Sequence, residues 1–428
     1  MKKTMAMGIL LINQIITRKV RHEFARTMRF EDGAPPRIPA TTEQKPRLMY
    51  MHIPFCEKLC PYCSFNRIVF DEPLCRDYFQ ALRQEMLIYK QRGFDFRGIY
   101  VGGGTPTVLI DELEETLVLA RETFNIREIS VETNPNHLTD RNIAALKRVS
   151  INRLSVGIQS FDNNLLKAMD RFEKYGSGEA IRDRMKQALG QFETLNADMI
   201  FNFPTQRMDM LNRDLDILME IGMDQITYYP LMVSDATRQT VSRTLGRVDY
   251  DREEQFYYQI VKRLIPAYRF SSAWCFSRKT AMIDEYIVDY DEYAGLGSGS
   301  IGFLSGTCYA NTFNIRQYIA QAGRGELPLM ASRDFDLRDR IRYDFMMKLF
   351  GMKLDLPGLQ HKYPGRLYRY LWPNLLAFLL AGGLRYDPPD YYLTPRGRYY
   401  WVIMMREFFI SVNNFRDFCR EQVLLERP

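Results

Sequence analysis

The chain has 428 residues, enough for two or three folded units with large cores. Its 46% hydrophobic and 13% aromatic content excludes a disordered chain, and a net charge of +6 weakly favours an anionic partner. Cys75, Cys275, Cys308 and Cys419 are scattered without pairing spacing, which fits a reducing, cytoplasmic compartment better than a secreted disulfide scaffold.

The first residues resemble a signal peptide only superficially. Met1-Lys-Lys precedes an apolar run to Ile12, but Asn13 and Gln14 interrupt it and no small-residue cleavage site follows. The run is also too short to span a bilayer, which takes about 20 apolar residues. Met5, Ile9, Ile12, Ile16 and Val20 recur at helical spacing, while Lys2, Lys3, Arg18, Lys19, Arg21 and Arg26 add positive charge. Such a helix either lies on an anionic membrane surface, at the cytoplasmic face, or packs on the protein's own body; both readings stand open. Residues 31–47 form a Pro-rich linker. Residues 1–47 are therefore expected to be an N-terminal helix and linker.

From residue 48 short apolar runs alternate with helical patterns. Strands are predicted at 48–52, 98–101, 129–131, 153–156, 198–201, 225–229 and 269–274, with helices such as 76–90 and 211–221 between them. The alternation predicts an α/β fold, a partial (β/α)6-type barrel over 48–305, with chemistry at the C-terminal strand ends. Residues 306–428 read as a C-terminal helical, winged-helix-like domain, with helices at 338–350 and 372–381 and a hairpin-like turn at 391–397. Such a unit binds nucleic acid, or serves equally often as a lid or packing domain. The modest, spread excess of Lys and Arg argues against nucleic acid.

Three cysteines lie within eight residues in Tyr50-Met-His-Ile-Pro-Phe-Cys56-Glu-Lys-Leu-Cys60-Pro-Tyr-Cys63, and no fourth follows nearby. Thiolates at this spacing can converge on one iron–sulfur cluster from a single loop. Three ligands leave one iron of a four-iron cluster open, whereas structural zinc normally takes four. The strand ends downstream carry Gly102-Gly-Gly-Thr-Pro-Thr107, Glu132-Thr-Asn-Pro and Gly157-Ile-Gln159, and Asp198 is expected to open the fifth strand. Glycines without Cβ atoms let backbone amides approach a ligand closely.

The cysteine motif with Gly-Gly-Gly-Thr-Pro-Thr resembles the radical S-adenosylmethionine superfamily, in its coproporphyrinogen-dehydrogenase-like branch, from about residue 46 onward. The resemblance implies a [4Fe–4S] cluster held by Cys56, Cys60 and Cys63, with S-adenosylmethionine on the open iron. An electron from the cluster then cleaves S-adenosylmethionine to methionine and a 5′-deoxyadenosyl radical. The branch further implies two S-adenosylmethionine molecules. Tyr50, Gly103, Glu132 and Ile301 match positions that contact the first. Tyr62, Gly104, Thr105, Gln159, Arg171 and Asp198 match positions that contact the second. Tyr50 and Tyr62 are also the candidates for a catalytic base.

Two departures narrow the expectation. The porphyrinogen dehydrogenases carry another cysteine two positions after the third ligand, where this chain has Phe65. The haem-chaperone relatives carry a C-terminal His-Asn-x-x-Tyr-Trp signature, against Tyr309-Ala-Asn-Thr-Phe313 here. The residues around the cluster, Met404-Met-Arg-Glu-Phe-Phe409 and Val412-Asn-Asn-Phe415 are similar to menaquinone ring methyltransferases. That likeness implies methylation of an sp2 ring carbon of menaquinone or another apolar aromatic ring. It also implies a flavodoxin- or ferredoxin-type electron donor. The alternatives are a tetrapyrrole enzyme, for anaerobic haem degradation or porphyrinogen oxidation, and a haem-binding chaperone-like protein.

Overall fold

The computed structural model describes residues 2–27, 30, 36–41, 43, 45–279 and 289–425, without the side chains of residues 2–12, 27 and 422–425. The side chains at the expected apolar positions Met5, Ile9 and Ile12, and linker residues 31–35, lie outside that description.

Six strands run parallel and in sequence order: β1 (Leu48–Ile53), β2 (Gly98–Gly103), β3 (Glu128–Thr133), β4 (Arg153–Gln159), β5 (Thr194–Phe201) and β6 (Gln225–Pro230). Each step to the next neighbour passes through at least one helix, the arrangement that parallel pairing requires. β1 and β2 are buried at every position, as expected of strands covered on both faces. The helix Glu72–Gln91 shows how the outer layer is fixed. Asp71 caps it by accepting from the Leu74 amide at 3.0 Å, and Tyr78, Leu82, Met86 and Tyr89 face the sheet side of the core.

Beyond β6 the sequence expectation fails in one place. Residues 269–274 do not continue the parallel series. They form β7 (Arg269–Phe270) and a bend, followed by β8 (Cys275–Ser277), which pairs antiparallel with both β6 and β7. Ser271 and Ser272 break the extended run, and the Ser271 amide donates to the Cys275 carbonyl at 3.0 Å. The other flank of β1 pairs in parallel with β9 (Tyr293–Leu296). Then β10 (Ile301–Leu304), β11 (Thr307–Asn311) and β12 (Leu329–Asp334) add antiparallel strands. The resulting sheet has twelve strands in the order β12-β11-β10-β9-β1-β2-β3-β4-β5-β6-β8-β7, and it stays open. The expected boundary at residue 305 falls in the β10–β11 turn, so strands on both sides of it share this sheet.

The C-terminal region is helical as expected. Helices Leu337–Phe350, Leu356–Lys362 and Leu367–Leu380 alternate with a small sheet of β13 (Lys353–Leu354), β14 (Leu384–Asp387) and β15 (Asp390–Leu393), β13 following the first helix and β14 the third. A 31-residue helix, Pro395–Leu425, closes the chain. The N-terminal helix Lys2–Thr27 packs against it. Arg21 forms a two-pronged ion pair with Glu407 at 2.6 and 3.2 Å, and the Phe24 and Phe408 rings meet edge to face at 5.3 Å. Packing on the protein's own body is thus the reading that the contacts favour. No described helix is long and apolar enough to cross a membrane.

Candidate active site

The cysteine loop leaves β1 and returns through a two-residue parallel ladder, Phe55 opposite Ile68 and Cys56 opposite Val69. Arg67 closes it from inside, donating to the Cys60 carbonyl at 2.6 Å and the Cys63 carbonyl at 2.7 Å. Cys56 and Cys60 are buried and Cys63 is half-exposed. Burial pushes the Cys56 thiol up to about 11, and its neighbours Cys63 and Cys60 push the same way. Three thiols on one braced loop suit a group that takes them as thiolates. Among the described residues no three His, Cys, Asp or Glu side chains gather on one metal ion. A four-iron cluster instead takes each thiolate on a different iron.

The glycine turn after β2 sits directly beneath that loop. The Gly104 amide donates to the Ile53 carbonyl at 2.7 Å and the Thr105 amide to the Phe55 carbonyl at 2.8 Å. A Cβ on Gly104 would stand 2.6 Å from the Phe55 carbonyl oxygen and 2.9 Å from the Cys56 sulfur. Gly103 has φ +115, and a Cβ there would meet the His52 ring at 2.8 Å. The residue type is therefore imposed by the close approach of two strand ends.

Of the residues matched to a first S-adenosylmethionine, Tyr50, Gly103 and Glu132 form one network. Tyr50 donates its hydroxyl to His52 Nδ1 at 2.9 Å, while His52 Nε2 donates to the Asn66 carbonyl at 2.8 Å. Burial lowers His52 to about 4, so the ring is neutral and its two partners fix one tautomer. Glu132 accepts from the Tyr100 hydroxyl at 2.9 Å and from the Gly103 amide at 3.2 Å. Burial, with the charge of Asp198 nearby, raises its carboxyl to about 7. Ile301 stands apart from these hydrogen bonds, yet shares a cavity wall with Tyr50.

Of the second set, Arg171 is linked to Thr105 through Asn134 and lies near Tyr62. This buried guanidinium donates to the Cys60 sulfur at 3.6 Å, to Asn134 Oδ1 at 3.2 Å and to the Gly157 carbonyl, and stacks over Tyr175 at 4.1 Å. Its Nε has no hydrogen-bond partner, which leaves one buried donor for an anionic or carbonyl group. Asn134 in turn donates to Thr105 Oγ1 at 2.9 Å. Tyr62 packs edge to face on Phe203 at 6.2 Å and is close enough to feel the charge of Arg171. Gln159 occupies a positive φ of 74 where the β4–β5 register shifts, a conformation uncommon outside glycine. Asp198 does not open β5. It lies in the strand's interior, opposite Gly157, and accepts from Ser155 at 2.6 Å and Asn196 at 2.8 Å. Burial pushes the hydroxyls of both Tyr50 and Tyr62 up, which holds them protonated as donors.

His52, Tyr100, Asn134, Ser155 and Asn196 belong to this site and were not singled out by spacing. Each lies on a strand end or lumen position, and period-two alternation along β1 to β5 is the signal that points to them. Phe65, the position of the departing cysteine, is held from outside. Arg416 of the last helix covers its ring at 4.7 Å, and Arg420 donates to its carbonyl at 3.0 Å.

A cavity of about 590 Å³ opens beside Tyr50. Its wall combines the N-terminal helix, strands β10 and β11, and three C-terminal helices, with Phe303, Phe345, Phe378, Phe408 and Met346 among the apolar side chains. Charged groups are few: Lys19, Glu23, Asp339, Arg342 and Arg416.

These features define a radical S-adenosylmethionine protein, and the family model described as the Radical SAM superfamily matches residues 50–218. The chain is 30% identical over 289 residues to the heme chaperone HemW of Lactococcus lactis, covering 65% of this chain and 75% of that one. It is 28% identical over 316 residues to anaerobilin synthase of Escherichia coli O157:H7, covering 68% and 69% respectively. Its fold is similar to that of coproporphyrinogen III oxidase (HemN) from Escherichia coli, with a TM-score of 0.70 at 23% identity over 85% of this chain and 90% of the other. The chain belongs to the radical S-adenosylmethionine superfamily, in its HemN-like branch. The family implies a [4Fe–4S] cluster and S-adenosylmethionine, and the loop residues fit both.

Proposed function

We propose that this enzyme acts by radical chemistry on a large conjugated ring seated in the cavity beside Tyr50, and that the ring is a tetrapyrrole. The observation that carries the ring substrate is the cavity itself, aromatic and aliphatic on most of its wall and continuous with Tyr50. The tetrapyrrole is supported by the relatives, which are named for heme handling and anaerobilin synthesis. Cys56, Cys60 and Cys63 would hold a [4Fe–4S] cluster, which would supply the electron for cleavage of S-adenosylmethionine. Glu132 and the Gly103 turn would orient that cofactor. Arg171, Gln159, Thr105 and Asp198 would contact a second molecule, whose carboxylate the Arg171 Nε would take.

A second reading, methyl transfer to a ring carbon of menaquinone, is favoured by two particular observations. Among the described residues the cavity offers Lys19, Arg342 and Arg416 as cations, and the Arg342 guanidinium already pairs with Glu23 at 3.3 Å. A ring with several carboxylates asks for more. Phe65, capped by Arg416, also replaces the cysteine of the porphyrinogen dehydrogenases. One experiment separates the readings: reduced, reconstituted protein with S-adenosylmethionine and either haem or menaquinone, followed by product mass. Altered tetrapyrrole with unchanged menaquinone supports the first reading. Menaquinone gaining a methylene unit, with S-adenosylhomocysteine released, replaces it by the second. Cofactor cleavage with neither ring altered overturns both.

A further inference from the structure

The Leu367–Leu380 helix has two apolar sides. Pro373, Asn374, Ala377 and Phe378 line the cavity, while Leu367, Leu371 and Leu375 are fully buried. The outward side is apolar as well. Tyr368, Trp372, Leu376 and Leu380 follow one another at four-residue spacing and are 45%, 48%, 41% and 80% exposed. A surface helix of a water-soluble domain normally turns charged residues outward, and this helix contains only one, Arg369. A contiguous exposed stripe of this kind marks an interaction surface.

The charge around the stripe identifies what it meets. Between Asp355 and Asp387 the chain has no acidic residue, whereas Lys362, Arg366, Arg369 and Arg385 all fall in that interval. Arg366 and Arg369 are exposed at one end of the helix and Arg396 is exposed just past the other, while Arg385 pairs with Asp387 at 3.1 Å and Lys362 with Asp291 and Asp344. A Tyr and a Trp among aliphatic side chains, bracketed by cations, match the boundary between lipid headgroups and acyl chains. Lys19 and the half-exposed Ile15 of the N-terminal helix line the same cavity, with Ala377 and Ala381 of this helix.

We propose that the outward face of the Leu367–Leu380 helix docks on an anionic lipid bilayer. The helix then lies in the plane of the headgroups, and its inner side forms a wall of the cavity that receives an apolar ring from the membrane. The delivery step rests on the ring-substrate reading above; the docking itself does not. Lipid binding is thereby assigned to the C-terminal helix rather than to the basic N-terminal one, whose Arg21 is committed to Glu407.

Full-length reconstituted protein is mixed with vesicles of phosphatidylcholine, with or without about 30% phosphatidylglycerol, and binding is measured by flotation. Trp372 supplies a second readout, because Trp274 and Trp401 are 0% exposed and only Trp372, at 48%, can enter lipid. The expected result is binding at least about tenfold stronger to the anionic vesicles, with a blue shift in tryptophan emission. The triple variant Trp372→Ser, Leu376→Ser, Leu380→Ser should lose about tenfold in binding while keeping its cluster. The pair Arg366→Glu, Arg369→Glu should remove the preference for anionic lipid. No binding by the wild-type chain, or equal binding by the triple variant, overturns the proposal. So does a wild-type dimer that the triple variant disperses without any vesicle binding, since a second copy would then cover the face. Binding is read without turnover. Failure here with ring conversion intact in detergent removes only the docking, and binding without ring conversion removes only the substrate reading.

Discussion

Arg171 Nη1 lies 3.6 Å from the sulfur of Cys60, so a residue twelve positions beyond β4 braces the cysteine loop that follows β1. The same guanidinium reaches Asn134 and the Gly157 carbonyl and shares the Cys60 sulfur's buried surroundings. Replacing Arg171 by Ala leaves those acceptors buried without a donor, at about 1–3 kcal/mol for each loss that does not relax. Arg171→Ala is expected to lower the thermal midpoint by several degrees and to reduce iron content. Arg171→Lys should restore part of the stability but not the pairing at two acceptors, because lysine lacks the planar fork. Calorimetry with iron analysis checks both.

Cys63 is the most accessible of the three thiols. Cys63→Ala should leave the folded chain nearly as stable, within about 1 kcal/mol, since a half-exposed small side chain is lost. It should nevertheless abolish the cluster absorbance and the formation of 5′-deoxyadenosine. A variant with full cluster and full cleavage would show that Cys63 is not a ligand.

The turn after β2 tolerates no side chain. Gly103→Ala places a Cβ against the His52 ring and holds a non-glycine residue at φ +115. Strain of this kind costs about 1–3 kcal/mol. Because the displaced His52 is the hydrogen-bond partner of Tyr50, the affinity for S-adenosylmethionine should fall along with stability. Equilibrium binding to the cluster-loaded variant, compared with its unfolding midpoint, measures the two effects separately.

Three buried carboxyls, Glu85, Glu132 and Asp214, are each raised by burial to about 7. Each keeps its proton in the fold at pH values where the unfolded chain has already lost it. The folded state thus binds more protons between the ordinary carboxylate range and about 7, so stability falls as pH rises through that window and levels off above it. Glu85 is the cleanest probe, being fully buried against Tyr318, Asn311 and the Gly297 amide. Glu85→Gln should flatten the slope by that group's share, at most about 3 kcal/mol. Chemical unfolding at several pH values between 4.5 and 8.5 tests this; an unchanged slope would contradict it.

The N-terminal helix completes a cavity wall with Val20 and Phe24 and is bound to the last helix through Arg21 and Glu407. Removing residues 1–24 should expose Phe408 and leave Arg406 as the remaining ion-pair partner of Glu407, so the truncated chain is expected to aggregate on warming. Cofactor cleavage, which depends on residues of β1 to β5, should persist while ring conversion is lost. Comparing 5′-deoxyadenosine with ring product in the truncated chain checks the separation.

The cysteine spacing and the Gly-rich turn announced the cofactor site because their chemistry is local: the ligands and the close backbone approach sit within a few residues. Strand positions from 48 to 230 were legible for a similar reason, as apolar runs bounded by turn residues. The lumen partners were not. Ser155 matters because register sets it opposite Glu132, and Asp198 because it faces Gly157, relations that only strand pairing creates. The strand predicted at 269–274 became a hairpin since two serines and a paired carbonyl outweighed its aromatic content. The cavity was equally hidden, built from helices more than 300 residues apart, as Arg21 and Glu407 are.

The most direct test is an anaerobic assay of the reduced, cluster-loaded chain with S-adenosylmethionine, run with haem and with menaquinone, and repeated with Cys63→Ala. The account predicts 5′-deoxyadenosine that requires Cys63, together with a mass change in one of the two conjugated rings. Absence of 5′-deoxyadenosine from a fully loaded and reduced wild-type chain, whatever ring is offered, would contradict it.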